Sequence, residues 1–530
     1  MGYYSCQDLS ASGWEAWTRY PDCPVSSFIS LEKTELDATN DHVTAAAVQP
    51  DIKPSRLRWL EPGRVTSRRQ TRKGSRFGTI KNEKNNMTAK HTDERNAKTH
   101  NLTVPPSMVR TEFGDLVQAV QYFNTCIYQD LLPIQELGPN PHIYTISPAQ
   151  IQMGAFMPDH LRLSIICITL SHRINRTRND DPGSYALVET FFQYRGILIR
   201  SLRDDIGVEY KRTSDIVIAG IMTLLLADTQ QGASQNWRCH IDGLRKLIIL
   251  RGGIRITSKS KSLEPLLLCF VLVTVIGNTT SPASDLCMAE SHLEELDFIL
   301  EKYGGGLFSF QMCPPQLFGE IVKINYLRMR AAAAAAAAAA ESTNAEPCAA
   351  SKSTKDLSQE VHEILNRIRC FSSAQWASSK PSAKEDWVLL GKIYQVAVAI
   401  YCISSLQSLL VLPPTSSFLR TCRCTYAHTL QTLIDEALLS PRIKRAVLWP
   451  LVMLGMEAAN TVPEMRSFVA KTLPEMSRSM GTCVPLTAKG VLERFWASGG
   501  ARWDACFERP YTFVTQIAVD ISRILPLGEM

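Results

Sequence analysis

No C-x-x-C pair occurs in the 530 residues, although fifteen cysteines scatter from Cys6 to Cys506. Zinc ribbons and fingers need thiols paired closely in sequence, so neither is present. The nucleophile elbow G-x-S-x-G and the metal helix H-E-x-x-H are also missing, and Gly304-Gly305-Gly306 lacks the Lys-Ser/Thr of a phosphate loop. The acidic pairs Asp180-Asp181 and Asp204-Asp205 continue into Pro182-Gly183-Ser184 and Ile206-Gly207-Val208, so the third carboxylate of a D-D-x-x-D magnesium site is absent from both. The apolar run Leu266 to Ile276, broken only by Thr274, falls well short of the roughly 20 residues that span a bilayer and reads as buried core. The opening residues MGYYSCQDLSASGWEAW have neither a charged n-region nor an apolar h-region, which predicts an intracellular chain with reduced thiols. Alternating strand patterns with hairpin turns are scarce.

What is present is helical periodicity. Leu116, Ala119, Val120, Phe123 and Ile127 recur at steps of three and four, a stripe that Pro133 and the run Gly138-Pro139-Asn140-Pro141 should stop. The same reading predicts helices over 160–173, 185–206, 214–229, 234–251, 263–276, 292–302 and 321–330. Beyond them it predicts helices over 357–371, 387–410, 421–439, 443–460, 464–480 and 487–496. Gly252-Gly253, after Leu247, Ile248 and Leu250, has the form of a helix C-cap. The expected fold is all-α. A length of 530 residues allows about two to four domains, here organised as helical segments over 106–330 and 357–530. Between them the ten alanines 331–340 begin a low-complexity insert reaching 356, because alanine favours helix but offers little surface to bury.

Charge is uneven. The net +6 hides a stretch from Lys53 to Lys98 with 14 Lys/Arg against 4 Asp/Glu, a local +10 that leaves −4 for the rest. Residues 1–105 lack periodic apolar pattern and are expected to form a disordered arm, basic from residue 53. Within it Arg64, Arg68, Arg69, Arg72, Lys73 and Arg76 are the candidate contacts for nuclear import or for phosphates, weighed against a plain solvated linker. Such contacts give affinity without sequence specificity.

Two further clusters have bland readings. Cys422-Arg423-Cys424 with His428 offers zinc-type donors, but residues two apart on a helix point about 200° from each other. Two small buried cysteines are the expectation, and no metal site is assigned. His240, near Trp237 and Asp242, has no nucleophile motif beside it and reads as a packed or capping histidine, so no catalytic residue is assigned.

Several stretches in order resemble a known family. Ala219 to Ile254, with Trp237, His240, Gly243, Arg251, Gly252 and Gly253, is similar to the central block of the fungal-specific transcription factor domain that follows the binuclear zinc cluster in fungal regulators. Ala119 to Asn124, Tyr394 to Ile403, Leu448 to Ala459 and Leu492 to Phe513 resemble its opening, middle, late and terminal blocks, so the resemblance covers roughly 110–515. It implies an all-α regulatory domain acting in the nucleus, relaying activation by small-ligand or partner binding, with homo- or heterodimers and other transcription proteins as partners and no membrane. An all-α small-molecule binder or an isoprenoid-type enzyme is the alternative. The family's six-cysteine array has no counterpart here, since only Cys6 and Cys23 precede Cys126, while Arg56-Leu57-Arg58-Trp59 resembles the stretch that commonly follows it. The chain is thus either a cluster-less regulator or one whose coding sequence upstream of Arg56 is mis-assembled. No cofactor is assigned to it. Zinc is expected only where an N-terminal cluster exists, and without one any DNA contact would be weak and sequence-blind.

Overall fold

The computed structural model describes residues 112–514, apart from breaks at 139, 141–142, 155, 178–182, 232–236, 305–312, 342–347 and 462. The arm assigned to 1–105 lies outside the described residues. Every regular element within them is a helix. In chain order these are α1 (Glu112–Tyr122), α2 (Tyr128–Gln135), α3 (Pro148–Gly154), α4 (Asp159–Arg176), α5 (Gly183–Ile206), α6 (Glu209–Arg212), α7 (Asp215–Gln231) and α8 (Trp237–Leu250). Then come α9 (Ile254–Thr257), α10 (Glu264–Thr279), α11 (Ala289–Glu294), α12 (Leu296–Gly304), α13 (Pro315–Glu341) and α14 (Cys348–Cys370). The last seven are α15 (Ser373–Ser378), α16 (Lys384–Ser408), α17 (Ser417–Leu438), α18 (Leu448–Glu457), α19 (Pro463–Met480), α20 (Val484–Ala497) and α21 (Trp503–Cys506).

The predicted periodicities become packing faces. In α8 the stripe Trp237, His240, Ile241, Leu244, Leu247 and Ile248 is buried while Arg245, Ile249 and Leu250 are exposed. Its end is the expected glycine cap. Gly252 and Gly253 take φ of 101° and 93°, and the Gly253 N–H reaches the Ile248 carbonyl at 2.8 Å, a left-handed conformation that glycine adopts without steric penalty. By contrast α10 is buried on nearly every side, as a helix apolar all round must be.

Two expectations need correction. Pro133 does not stop the first helical run: a π-turn over Phe123–Ile127 joins α1 to α2, and α2 holds Pro133 inside it. The proline removes one hydrogen bond, but Leu131 and Ile134 beside it are buried, so packing outweighs the missing bond. The run 266–276 lies in α10 and is buried core, as expected. Among the described residues α16 is the one helix long and apolar enough by composition to cross a membrane, and 72% of its most apolar stretch is buried inside the helical body. Finally, Cys422 is half-buried and Cys424 exposed, because Ala427, Leu430 and Ile434 form the inward face of α17.

The alanine tract is the outer part of α13. Ala331 is buried, Ala333 to Ala339 are exposed, and α14 begins at Cys348, inside the segment 331–356. The helices on either side of that segment share contacts: α13 packs on α14 and α16, α19 on α4, and α20 on α7. Arg328 of α13, fully buried, donates to the carbonyls of Asn278 at 2.8 Å and Ser281 at 2.7 Å, to the Tyr401 hydroxyl at 3.2 Å and to Asp504 at 3.1 Å. Trp449 and Trp503 both donate their indole N–H to Thr279, at 2.8 and 2.9 Å. The Asn278 and Thr279 carbonyls at the end of α10 are thereby satisfied by Arg328 and Trp503, as buried helix ends require.

Candidate functional site

Two polar groups stand two residues apart on α7, Asp228 and Gln230, and each organises a different surrounding. Asp228 is 2% exposed and meets Arg195 of α5 through two bonds, Nε at 3.0 Å and NH2 at 2.7 Å. His240 of α8 places Nε2 3.0 Å from the same carboxylate. Burial pushes the Asp228 carboxyl up, but the Arg195 guanidinium and the His240 bond outweigh it and hold it well below the usual carboxylate range. The forked guanidinium geometry suits a buried carboxylate.

Other residues of the same block serve the joint as well. Trp237 lies over Gly277 of α10, where a Cβ would come within 2.9 Å of its ring. Arg251 pairs with Asp215 at 2.5 Å and donates to the Thr213 carbonyl at 3.1 Å, tying the end of α8 back to the start of α7. Gly243 is buried on the inward face of α8, and Gly252 and Gly253 form its cap. Trp237, His240, Gly243, Arg251, Gly252 and Gly253 thus come together as a three-helix joint with no reactive nucleophile among them.

Gln230 looks the other way. It lines a cavity of ≈ 80 Å³ whose apolar wall includes Ile127, Leu131, Ile165, Ile168, Leu226 and Met480. His172, Gln230 and Arg445 contribute its polar side, with Thr223 engaged in bonds to its own helix. The Gln230 backbone carbonyl accepts from the N–H of Cys483 at 3.0 Å, and its side-chain nitrogen reaches the Gly481 carbonyl at 3.4 Å. Its Oε1 is buried with no hydrogen-bond partner among the described residues. Such an acceptor carries a desolvation penalty unless something donates to it.

Beside the cavity Asp130 accepts from Arg176 at 2.5 Å and lies 3.8 Å from Arg445, which lines it. His172 adds no charge near neutral pH, since burial, then Arg445 and Arg176, push its imidazole down to about 3. Its Nδ1 sits 3.3 Å from the Tyr122 hydroxyl. Gly481, at φ 63°, makes room for the ring: a Cβ there would lie 2.3 Å from it.

The basic residues Arg64, Arg68, Arg69, Arg72, Lys73 and Arg76 lie outside the described residues. Among those described, no group of three or more His, Cys, Asp or Glu is placed to hold a metal ion. Sequence reasoning missed the cavity because its residues come from six separate segments, none carrying a motif. The one available signal was a glutamine and an arginine on otherwise apolar faces.

The sequence matches the fungal specific transcription factor domain over residues 118–508. It is also similar to the phomenoic acid biosynthesis cluster-specific transcriptional regulator of Leptosphaeria maculans, 44% identical over 478 residues that cover 89% of this chain and 84% of that protein. No solved structure matches. The match takes in the α7–α8 joint, the Arg328 hub and the terminal block, and so the chain belongs to the fungal specific transcription factor family and is a fungal transcriptional regulator.

Proposed function

We propose that this regulator works in the nucleus, without catalysis, on the genes of one biosynthesis cluster. The similarity to a cluster-specific regulator along nearly the whole chain supports this reading. The helical body is its regulatory module. Arg64, Arg68, Arg69, Arg72, Lys73 and Arg76 supply the cationic stretch that an import receptor reads, and the same charges touch phosphates. Direct DNA contact by this arm is sequence-blind: with about four to eight phosphate contacts, log affinity should fall against log salt with a slope of about −4 to −7. Sequence-specific targeting then falls to a dimer partner or to a zinc cluster encoded upstream.

The test is genetic. Deleting the gene should silence one contiguous set of biosynthetic genes, and restoring it as a fluorescent fusion should return both the transcripts and a nuclear signal. Changing Arg68, Arg69, Arg72, Lys73 and Arg76 to alanine should lose both. A deletion strain whose transcripts match the parent under conditions where the gene is expressed would overturn the reading.

A further inference from the structure

We propose that the corner where α8 turns into α9 is a docking surface for an acidic amphipathic helix of a partner protein. Its centre is aliphatic. Ile249 is 62% exposed, Leu250 55% and Ile256 44%, because Leu247 and Ile248 already occupy the inward stripe of α8 and the next positions of a helix turn away from it. Gly252 carries Ile256 back onto the end of α8: its N–H reaches the Ile249 carbonyl at 2.9 Å, and Cγ1 of Ile256 lies 3.4 Å from where a Cβ on Gly252 would stand. The rim is cationic. Arg245 stands one turn before Ile249 on the same exposed face, and Lys259 and Lys261 flank Ser260, which donates to Asp215 at 2.5 Å beside Arg251. Arg251 and Arg255 are answered by Asp215 and Glu295, at 2.5 and 2.6 Å, whereas Arg245, Lys259 and Lys261 are exposed and form no ion pair among the described residues.

The pattern selects the partner. Aliphatic side chains at the centre of an interface, with polar and charged groups around them, are the arrangement of a protein contact. Phosphates of a nucleic acid would answer the cations but leave the aliphatic side chains in water. A second copy of this chain would set the same cations against each other, and an uncharged apolar segment would desolvate them without a counter-charge. A helix with apolar residues at i, i+3, i+4 and i+7 and carboxylates beside that stripe meets both demands. Asp242 is the one carboxylate of α8 and is half-buried a turn before Arg245, so the surface keeps an excess of positive charge. With Ile249, Leu250 and Ile256 as its anchors the contact is small, and it is therefore weak and transient.

That such docking relays activation rests on the regulatory reading above; the docking itself does not. It is measured on the purified full chain, so its failure leaves the transcript experiment standing and the reverse also holds. The probe is a fluorescein-labelled amphipathic peptide of about 15 residues, leucines on one face and glutamates on the other, followed by anisotropy. Because the basic stretch from Lys53 to Lys98 attracts any acidic peptide, the same peptide with serine in place of leucine is the control. The leucine peptide should bind the parent about fivefold tighter than the control or better, and added salt should weaken it. Ile249→Ser with Leu250→Ser should lower its affinity about tenfold and bring the two peptides level, with an unchanged thermal midpoint because both side chains are exposed. Lys259→Glu with Lys261→Glu should weaken it by about threefold, and this pair keeps the test decisive if the serine variant fails to fold. Equal binding of the two peptides to the parent, or unchanged binding by the variants, would overturn the assignment. So would a serine variant that loses affinity for duplex DNA or phosphatidylserine vesicles, or that dimerises less, while holding the leucine peptide as the parent does.

Discussion

Asp228 and Gln230 occupy one helix, two residues apart, and have opposite fates. The carboxylate receives a bidentate guanidinium and an imidazole, so its charge is answered on the spot. The glutamine has its backbone carbonyl and side-chain nitrogen engaged but leaves an oxygen without a donor, beside a void. A polar cluster whose bonds all point inward holds helices together. One with an acceptor left facing a void carries a desolvation cost instead.

The contrast is open to measurement, most severely through Asp228→Ala. That change leaves Arg195 and His240 buried without their carboxylate and should destabilise the body by on the order of 3–5 kcal/mol, seen as a large fall in the thermal or urea midpoint. A loss below about 1 kcal/mol would mean that the joint is not the fixed element argued here.

Acid should act first through the buried histidines. His172 and His292 titrate in the folded body at about 3 and about 4, and burial lowers His160 as well, all below the 6.5 of an unfolded histidine. The unfolded chain therefore binds more protons as pH falls below 6.5, so their contribution is full above that value and is lost on acidification toward 4. Each group contributes a slope of at most about 1.4 kcal/mol per pH unit. Asp228, held below its ordinary 3.8, has its stabilisation in place above that value and loses it only at lower pH. Stability measured between pH 7 and 4.5 should decline, and His172→Gln should flatten part of that decline. An unchanged slope in the variant would remove His172 from the account.

The smallest effect is expected at Gln230→Leu. This change deletes an unpartnered acceptor and one long bond, and the lost cost offsets the lost bond, so stability should stay within about 1 kcal/mol of the parent. A drop as large as that of Asp228→Ala would erase the distinction between the two clusters.

How much of this was readable in the sequence follows from the range of each interaction. The stripe of α8 and its Gly252-Gly253 cap are local, fixed by spacing and by φ, and both were legible. The families of buried positions in α10 and α18 were legible for the same reason. The partner of Asp228 was not, because Arg195 lies 33 residues earlier on another helix and nothing local marks it. Pro133 misled because a local rule was overridden by packing on either side. α16 was legible as a helix over 387–410, though Lys384, Glu385 and Asp386 placed its predicted start three residues late. The cavity left no more trace than Gln230 and Arg445 on otherwise apolar faces, since a void is a property of six segments together and belongs to none of them.

The alanine tract has a consequence of another kind. From Ala333 to Ala339 the helix α13 is exposed to solvent. Each alanine added or removed changes the reach by about 1.5 Å and the phase by about 100°, yet Arg328 and Ala331, the last residues anchored in the core, stay where they are. A run of identical residues is also the kind of sequence that replication lengthens and shortens. Here such a change falls on exposed helix beyond Ala331, outside the buried contacts that Arg328 makes with Asn278 and Ser281.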